Sequence, residues 1–183
     1  MAYDFNPLKA KIKETEEWLQ RELAGVRTGR ASPALLDSIK PEVYGARTPL
    51  NQVAAVGIED ARTLRVSPWD KSVTKDIERA IIEADLGVSV ASDDSGLRVS
   101  FPMLTAERRI MLTKLAGEKH ETAKVTLRGH RTDSIKELDE MEKGGGVGKD
   151  EVARYKAEVQ KLIDAGVEAL MLLEKKKEEE IAQ

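Results

Sequence analysis

The sequence contains no cysteine, which removes disulfides, zinc-thiolate centres and thiol nucleophiles together. Aromatic residues are scarce at 4%, against 34% charged residues. A compact sphere of 183 residues would carry more bulky core material and fewer charges. Long helices with a narrow buried stripe and broad solvated faces suit this composition better. No apolar run approaches the roughly 20 residues needed to span a bilayer. The opening MAYDFNPLKAKIKETEEW puts charges where a secretory signal needs apolar residues, and acids where transit peptides avoid them. A cytoplasmic location, with no membrane contact, is expected.

Histidine is nearly missing too. His120 and His130 are the only two, and their spacing on one predicted helix separates them by roughly 15 Å along its axis. That is too far to share a metal, and both are expected to face solvent. No glycine-rich phosphate loop exists: the GGGVG run at 144–148 has no Lys-Ser/Thr ending and follows no strand. No catalytic residue, metal site or cofactor is therefore expected. A net charge of -3 further argues against coating nucleic acid through bulk positive charge, so charge has to be read face by face.

Proline shows where the texture changes. Five of the six prolines stand at 33, 41, 49, 68 and 102, and none follows. Before them, roughly Pro7 to Thr28, Phe5, Ile12, Leu19 and Val26 repeat at seven with Leu8 and Leu23 at the offsets. This is one apolar seam on an amphipathic helix, with Asn6 as cap, Pro7 in the first turn and Gly29 as the stop. Within 30–104 short alternations appear at Thr63–Ser67 and Leu97–Phe101, with further strand candidates at Ile39 and Val53–Ile58. Tyr44-Gly45 and Asp94-Ser95-Gly96 read as turns. A single helix lines Val73, Ile77, Ala80, Ile81 and Ala84 on one side, with Ser72 or Thr74 as cap and Gly87 beyond its end.

After Pro102 the helical pattern returns. Thr105 is a plausible cap, and Leu112, Leu115, Val125, Ile135, Leu138 and Met141 give a patchy stripe running to Lys143. Beyond the glycines a last helix carries Val152, Tyr155, Val159, Leu162, Val167, Leu170 and Leu173, and KKKEEE (175–180) reads as its solvated end. The first helix cannot bury its stripe alone. It is expected to pack with the last two as a long three-helix bundle (1–29 and 105–183), with 30–104 as an inserted small β/α/β domain, an α+β organisation.

At 100° per residue, Lys124, Arg128 and Arg131 fall within an arc of roughly 60°, flanked by Arg109 and Lys114. Such a stripe suits phosphates, although an ordinary solvated helix face carries similar charge. Arg27 and Arg30 lie where the first helix gives way to the insertion. An insertion enters and leaves at one place, so Arg30, Ala31 and Ser32 pair with Pro102, Met103, Leu104 and Thr105 as a hinge. An adaptor that offers its bundle to another protein would also fit; an enzyme using the insertion fits less well.

Six segments together make the sequence recognisable: VRTGRASPALLD (Val26–Asp37), YGARTPLNQVA (Tyr44–Ala54), ARTLRVSPWDK (Ala61–Lys71), ADLG (Ala84–Gly87), PMLTAERR (Pro102–Arg109) and AKVTLRGHRTD (Ala123–Asp133). In order and spacing they closely resemble the ribosome recycling factor family. The resemblance implies an L-shaped monomer, tRNA-like in outline, that binds the post-termination ribosome through large-subunit rRNA. Elongation factor G with GTP would then drive subunit splitting. It also implies that Arg27, Arg30, Arg109, Arg128 and Arg131 belong to the RNA-facing side, alongside Lys124 from the stripe. Three positions depart from the family pattern: Thr132 where a second arginine is usual, Ala84 where serine is usual, and Pro41 in a strand normally free of proline.

Overall fold

The computed structural model describes residues 3–183. Residue contacts divide the chain into two units: one is 1–23 with 114–177, the other 24–113 with 178–183.

The first unit is a three-helix bundle built from α1 (Asn6–Ala24) and the greater part of α4 (Ala106–Lys143) and α5 (Lys149–Ala182), whose residues 106–113 and 178–182 belong to the second unit. The seam expected on α1 is buried at Leu8, Ile12, Leu19 and Leu23, with Phe5 packed beside it. Opposite lie Ala116, Ala123, Leu127 and Leu138 of α4, and Val152, Val159, Ile163 and Leu170 of α5. Small residues permit the close approach. A Cβ on Gly166 would come within 2.9 Å of the Ile12 side chain and 3.2 Å of Leu127. Gly145, at φ 71°, turns the chain between α4 and α5, and the Gly144 and Gly146 amides cap the α4 carbonyls of Glu140 and Met141.

Several expectations need correction here. Asp4, not Asn6, caps α1, accepting from the Asn6 amide at 3.0 Å. The helix ends at Ala24 rather than Thr28. On α4, Leu115 and Val125 are exposed, and alanines and His120 occupy the buried positions instead. Reading only large apolar residues misplaced that stripe. His120 is buried, with Nδ1 2.7 Å from Glu174 Oε2, and His130 is half-buried with Nε2 3.4 Å from Thr15 Oγ1. Neither is the freely solvated histidine expected. Lys177 is likewise buried, so KKKEEE is not a uniformly solvated end.

The second unit holds the small mixed domain. Its order is a hairpin, β1 (Glu42–Val43) and β2 (Ala46–Arg47), then the single turn α2 (Leu50–Val53). There follow β3 (Ala54–Asp60), β4 (Thr63–Pro68), α3 (Thr74–Glu83), β5 (Ser89–Asp93) and β6 (Gly96–Ser100). The last four strands form an antiparallel sheet in the order β3-β4-β6-β5. Leu64, Val66, Leu97 and Val99 bury one face of it with Ile77 and Ile81 of α3. The strand period of two sends Arg65 and Arg98 to the other face, where they are directly opposed across β4 and β6. Like charges so placed repel, and Glu59 and Asp93 offset them. Arg65 reaches Glu59 at 3.3 Å and Asp93 at 2.5 Å, and Arg98 also binds Glu59. Hydrogen bonds from Arg98 to Glu59, and from Arg65 to Asp93, hold both carboxyls below their ordinary range.

Turn chemistry fixes the strand ends. Tyr44 (φ 54°) and Gly45 (φ 79°) both lie in the left-handed region, as the two-residue hairpin between β1 and β2 requires. Gly96 has φ 135°, and a Cβ there would collide with the Val66 carbonyl. Ile39 is a buried core residue outside any strand, and Val53 belongs to α2. Pro41 stands ahead of β1, where its missing N–H costs no ladder bond. Asp70, rather than Ser72 or Thr74, caps the turn leading into α3 by accepting the Ser72 amide at 2.8 Å. Val26, Leu104, Leu112 and Ile181 form a small separate core in this unit.

Candidate nucleic-acid interface

Helix α4 carries the cations because its start is well capped and its interior lacks proline. The Thr105 hydroxyl accepts the Arg108 amide at 3.2 Å, and Glu107 sits in the first turn, where negative charge suits the helix dipole. In the bundle unit, Ala116, Ala123, Leu127 and Leu138 turn toward the core. That leaves Arg128 and Arg131 exposed and Lys124 half-buried.

These three cations are not alike. Lys124 Nζ lies 3.0 Å from Glu121 Oε2, and Arg128 Nη1 lies 3.3 Å from Glu121 Oε1. One carboxylate thus serves two cations, and the Lys124 hydrogen bond, with the Arg128 charge adding, holds it below its ordinary range. Arg131 has a neutral partner: its Nε donates to Gln160 Oε1 on α5 at 2.6 Å. Thr132 stands where the family pattern has arginine, and its hydroxyl donates back to the Arg128 carbonyl at 2.9 Å. It adds no charge to the group.

In the second unit the expected cations separate by burial. Arg30 is exposed, with its amide donating to Thr28 Oγ1 at 3.3 Å. Arg109 is half-buried: Nη1 donates to the Ala182 carbonyl at 2.5 Å, and Nε is enclosed without a hydrogen bond. Arg27 departs from the RNA-facing role that the resemblance implied. It is only 7% exposed, and its guanidinium donates to the carbonyls of Leu86 (3.2 Å), Gly87 (2.9 Å) and Pro102 (2.5 Å). It also lies 5.7 Å from the centre of the Phe101 ring. Burial, with Arg108 adding, lowers its pKa. Arg27 is a structural clamp in this fold, and exposed Arg108 is a cation that the stripe reading left out.

The segments expected to flex are of mixed character. Ala31 and Leu104 are buried, Arg30, Pro102, Met103 and Thr105 are exposed, and Ser32 is half-buried. The Ala31 amide donates to the Ala61 carbonyl at 2.9 Å and the Phe101 amide to the Arg62 carbonyl at 2.7 Å, so both connections are tied to the β3–β4 turn. Gln160 is the residue that the sequence reading missed. Glu121 was visible at i, i+3 from Lys124; Gln160, on another helix, gave no signal.

Among the described residues no group of three or more His, Asp and Glu could hold a metal ion. None of their helices is long and apolar enough to cross a membrane. The architecture defines an α+β protein built on long helices with a small sheet domain.

Comparison with known proteins gives the family. The ribosome recycling factor family model matches residues 19–182. The ribosome-recycling factor of Bacillus subtilis (strain 168) is 43% identical over 175 residues, 96% of this chain and 95% of that protein. That of Oceanobacillus iheyensis is 41% identical over 182 residues, 100% of this chain and 98% of the relative. A solution structure of the ribosome recycling factor superposes with a TM-score of 0.74 at 31% identity, covering 100% of this chain and 99% of the other. Another match is the T. thermophilus ribosome recycling factor, in models with the E. coli elongation factor G bound to the E. coli post-termination complex. Its TM-score is 0.67 at 38% identity, with 98% and 97% of the two chains covered. The chain belongs to the ribosome recycling factor family and is a translation factor, not an enzyme.

Proposed function

We propose that this protein binds the post-termination ribosome through large-subunit rRNA and, with elongation factor G and GTP, splits it into subunits in the cytoplasm. The observation that carries the rRNA contact is the exposure of Arg128 and Arg131 on one helix of a chain whose net charge is -3. Cations that neutralise phosphates release condensed counterions, and this makes a local stripe effective despite an acidic whole. Arg131, Arg128 and Lys124 are the contacts in the bundle unit, with Arg30 and Arg109 adding cations in the other. GTP hydrolysis belongs to the partner.

The proposed hinge is Arg30–Ser32 with Pro102–Thr105, and on this reading the bundle domain is 1–29 with 105–183 and the inserted domain 30–104. The factor acts as a monomer. Post-termination ribosomes incubated with this protein, elongation factor G and GTP should sediment as separate subunits. Intact ribosomes at the end of that incubation would reject the assignment.

A further inference from the structure

Arg131 stands apart from Lys124 and Arg128 in how its charge is held. Lys124 and Arg128 share the Glu121 carboxylate, so part of their field is cancelled before any RNA arrives. The Arg131 Nε meets only the amide oxygen of Gln160, at 2.6 Å, and the Gln160 Nε2 donates in turn to Asp164 Oδ1 at 2.7 Å.

This chain of bonds runs in one direction only. A guanidinium has no acceptor, and an ionised carboxylate has no donor. The Gln160 amide must therefore turn its oxygen to Arg131 and its nitrogen to Asp164; the flipped amide would lose both bonds. Gln160 and Asp164 are four residues apart on α5, the spacing at which Gln and Asp side chains meet on a helix. Asp164 thus fixes the amide, and the amide fixes the guanidinium. The four N–H groups on the two terminal nitrogens of Arg131 are left for a phosphate.

We propose that Gln160 is a positioning residue for ribosome binding: with Asp164 behind it, it orients the Arg131 guanidinium toward an rRNA phosphate without neutralising it. This rests on the reading of Arg131 as a phosphate contact. A carboxylate at position 160 would orient Arg131 equally well but would cancel its charge. An apolar side chain would leave the charge intact and the guanidinium free to rotate. Ordering a mobile side chain on binding weakens affinity about two- to tenfold, which is the effect expected on removing the amide.

The test measures binding of the full-length protein to purified large ribosomal subunits across a series of salt concentrations, with thermal unfolding by circular dichroism as a control. Gln160→Leu should weaken binding about two- to tenfold while leaving the slope of log affinity against log salt unchanged, because the phosphate contact still forms. Asp164→Ala should act in the same direction more weakly. Arg131→Ala should flatten the slope by about 0.7–0.9, and adding Gln160→Leu to it should cost nothing more. Equal losses from Gln160→Leu with and without Arg131 would overturn the positioning role and leave the phosphate contact standing. An unchanged affinity and slope in Arg131→Ala would overturn the phosphate contact and the positioning role with it.

Discussion

The guanidinium of Arg27 donates to the carbonyl of Pro102, a residue 75 positions downstream, while the same side chain holds the carbonyls of Leu86 and Gly87. One arginine therefore fastens the segment after α1 to the return connection and to the turn after α3. The planar fork suits this task, since several donors are fixed in one plane.

Arg27→Ala should leave buried carbonyls unpaired and lower stability by about 2–4 kcal/mol, read from urea or thermal unfolding. Arg27→Lys should recover only part of the loss, because an ammonium cannot span the same acceptors in a plane. Neither change should alter the salt slope of ribosome binding. A flattened slope in Arg27→Ala with normal stability would mean that this residue meets phosphate after all.

Glu121 is expected to restrain binding. Glu121→Gln should release Lys124 and Arg128 and tighten association with large subunits at neutral pH. The Glu121 carboxyl titrates below its ordinary value, so it stays ionised through the mildly acidic range. The advantage of Glu121→Gln should accordingly persist down to the usual carboxylate pKa and vanish only below the depressed one. Equal affinities at pH 7 would show that the two cations take no part in binding.

Gly166 sets the spacing of the bundle. Gly166→Val would drive its side chain into Ile12 and Leu127, whose atoms already stand 2.9 and 3.2 Å from a bare Cβ. Overpacking of this kind costs about 1–3 kcal/mol. A drop in the thermal midpoint is expected, with little change in the salt slope of binding. An unchanged midpoint would show that the helices part there freely.

His130 gives the fold a dependence on pH. Burial, with Lys11 adding, lowers its pKa from the ordinary 6.5, while Asp133 and Glu14 oppose this. The native state therefore disfavours the proton that the unfolded chain accepts. Stability should be level above pH 6.5, fall as the pH drops below it, and level again for this group below the native pKa. His130→Gln should reduce that fall. Identical urea midpoints for the two proteins at every pH would remove His130 as its source.

Much of the fold could be read from patterns of period and punctuation. The seam Leu8–Ile12–Leu19–Leu23, the strands at Thr63 and Leu97 and the break at Gly144–Gly148 all depend on local spacing, and the structure reproduces them, although Val26 leaves the seam for another cluster. What escaped was whatever depends on a distant partner. Ala116 and Ala123 looked too small to define a stripe, yet they are fully buried because close helix packing needs small residues there. His120 reads as polar until Glu174, on another helix, supplies its bond. The cations of the candidate interface were visible by their arc on α4, and the inward turn of Arg27 was not, since its acceptors are backbone carbonyls that carry no sequence signal.

The opposed arginines of the sheet, Arg65 and Arg98, have a consequence for how each unit meets an RNA-rich particle. Their charges end on Glu59 and Asp93, so these two guanidinium groups add little to any attraction for phosphate. If the cations of α4 meet phosphate as proposed, long-range capture would fall to guanidinium groups left less compensated, Arg131 foremost.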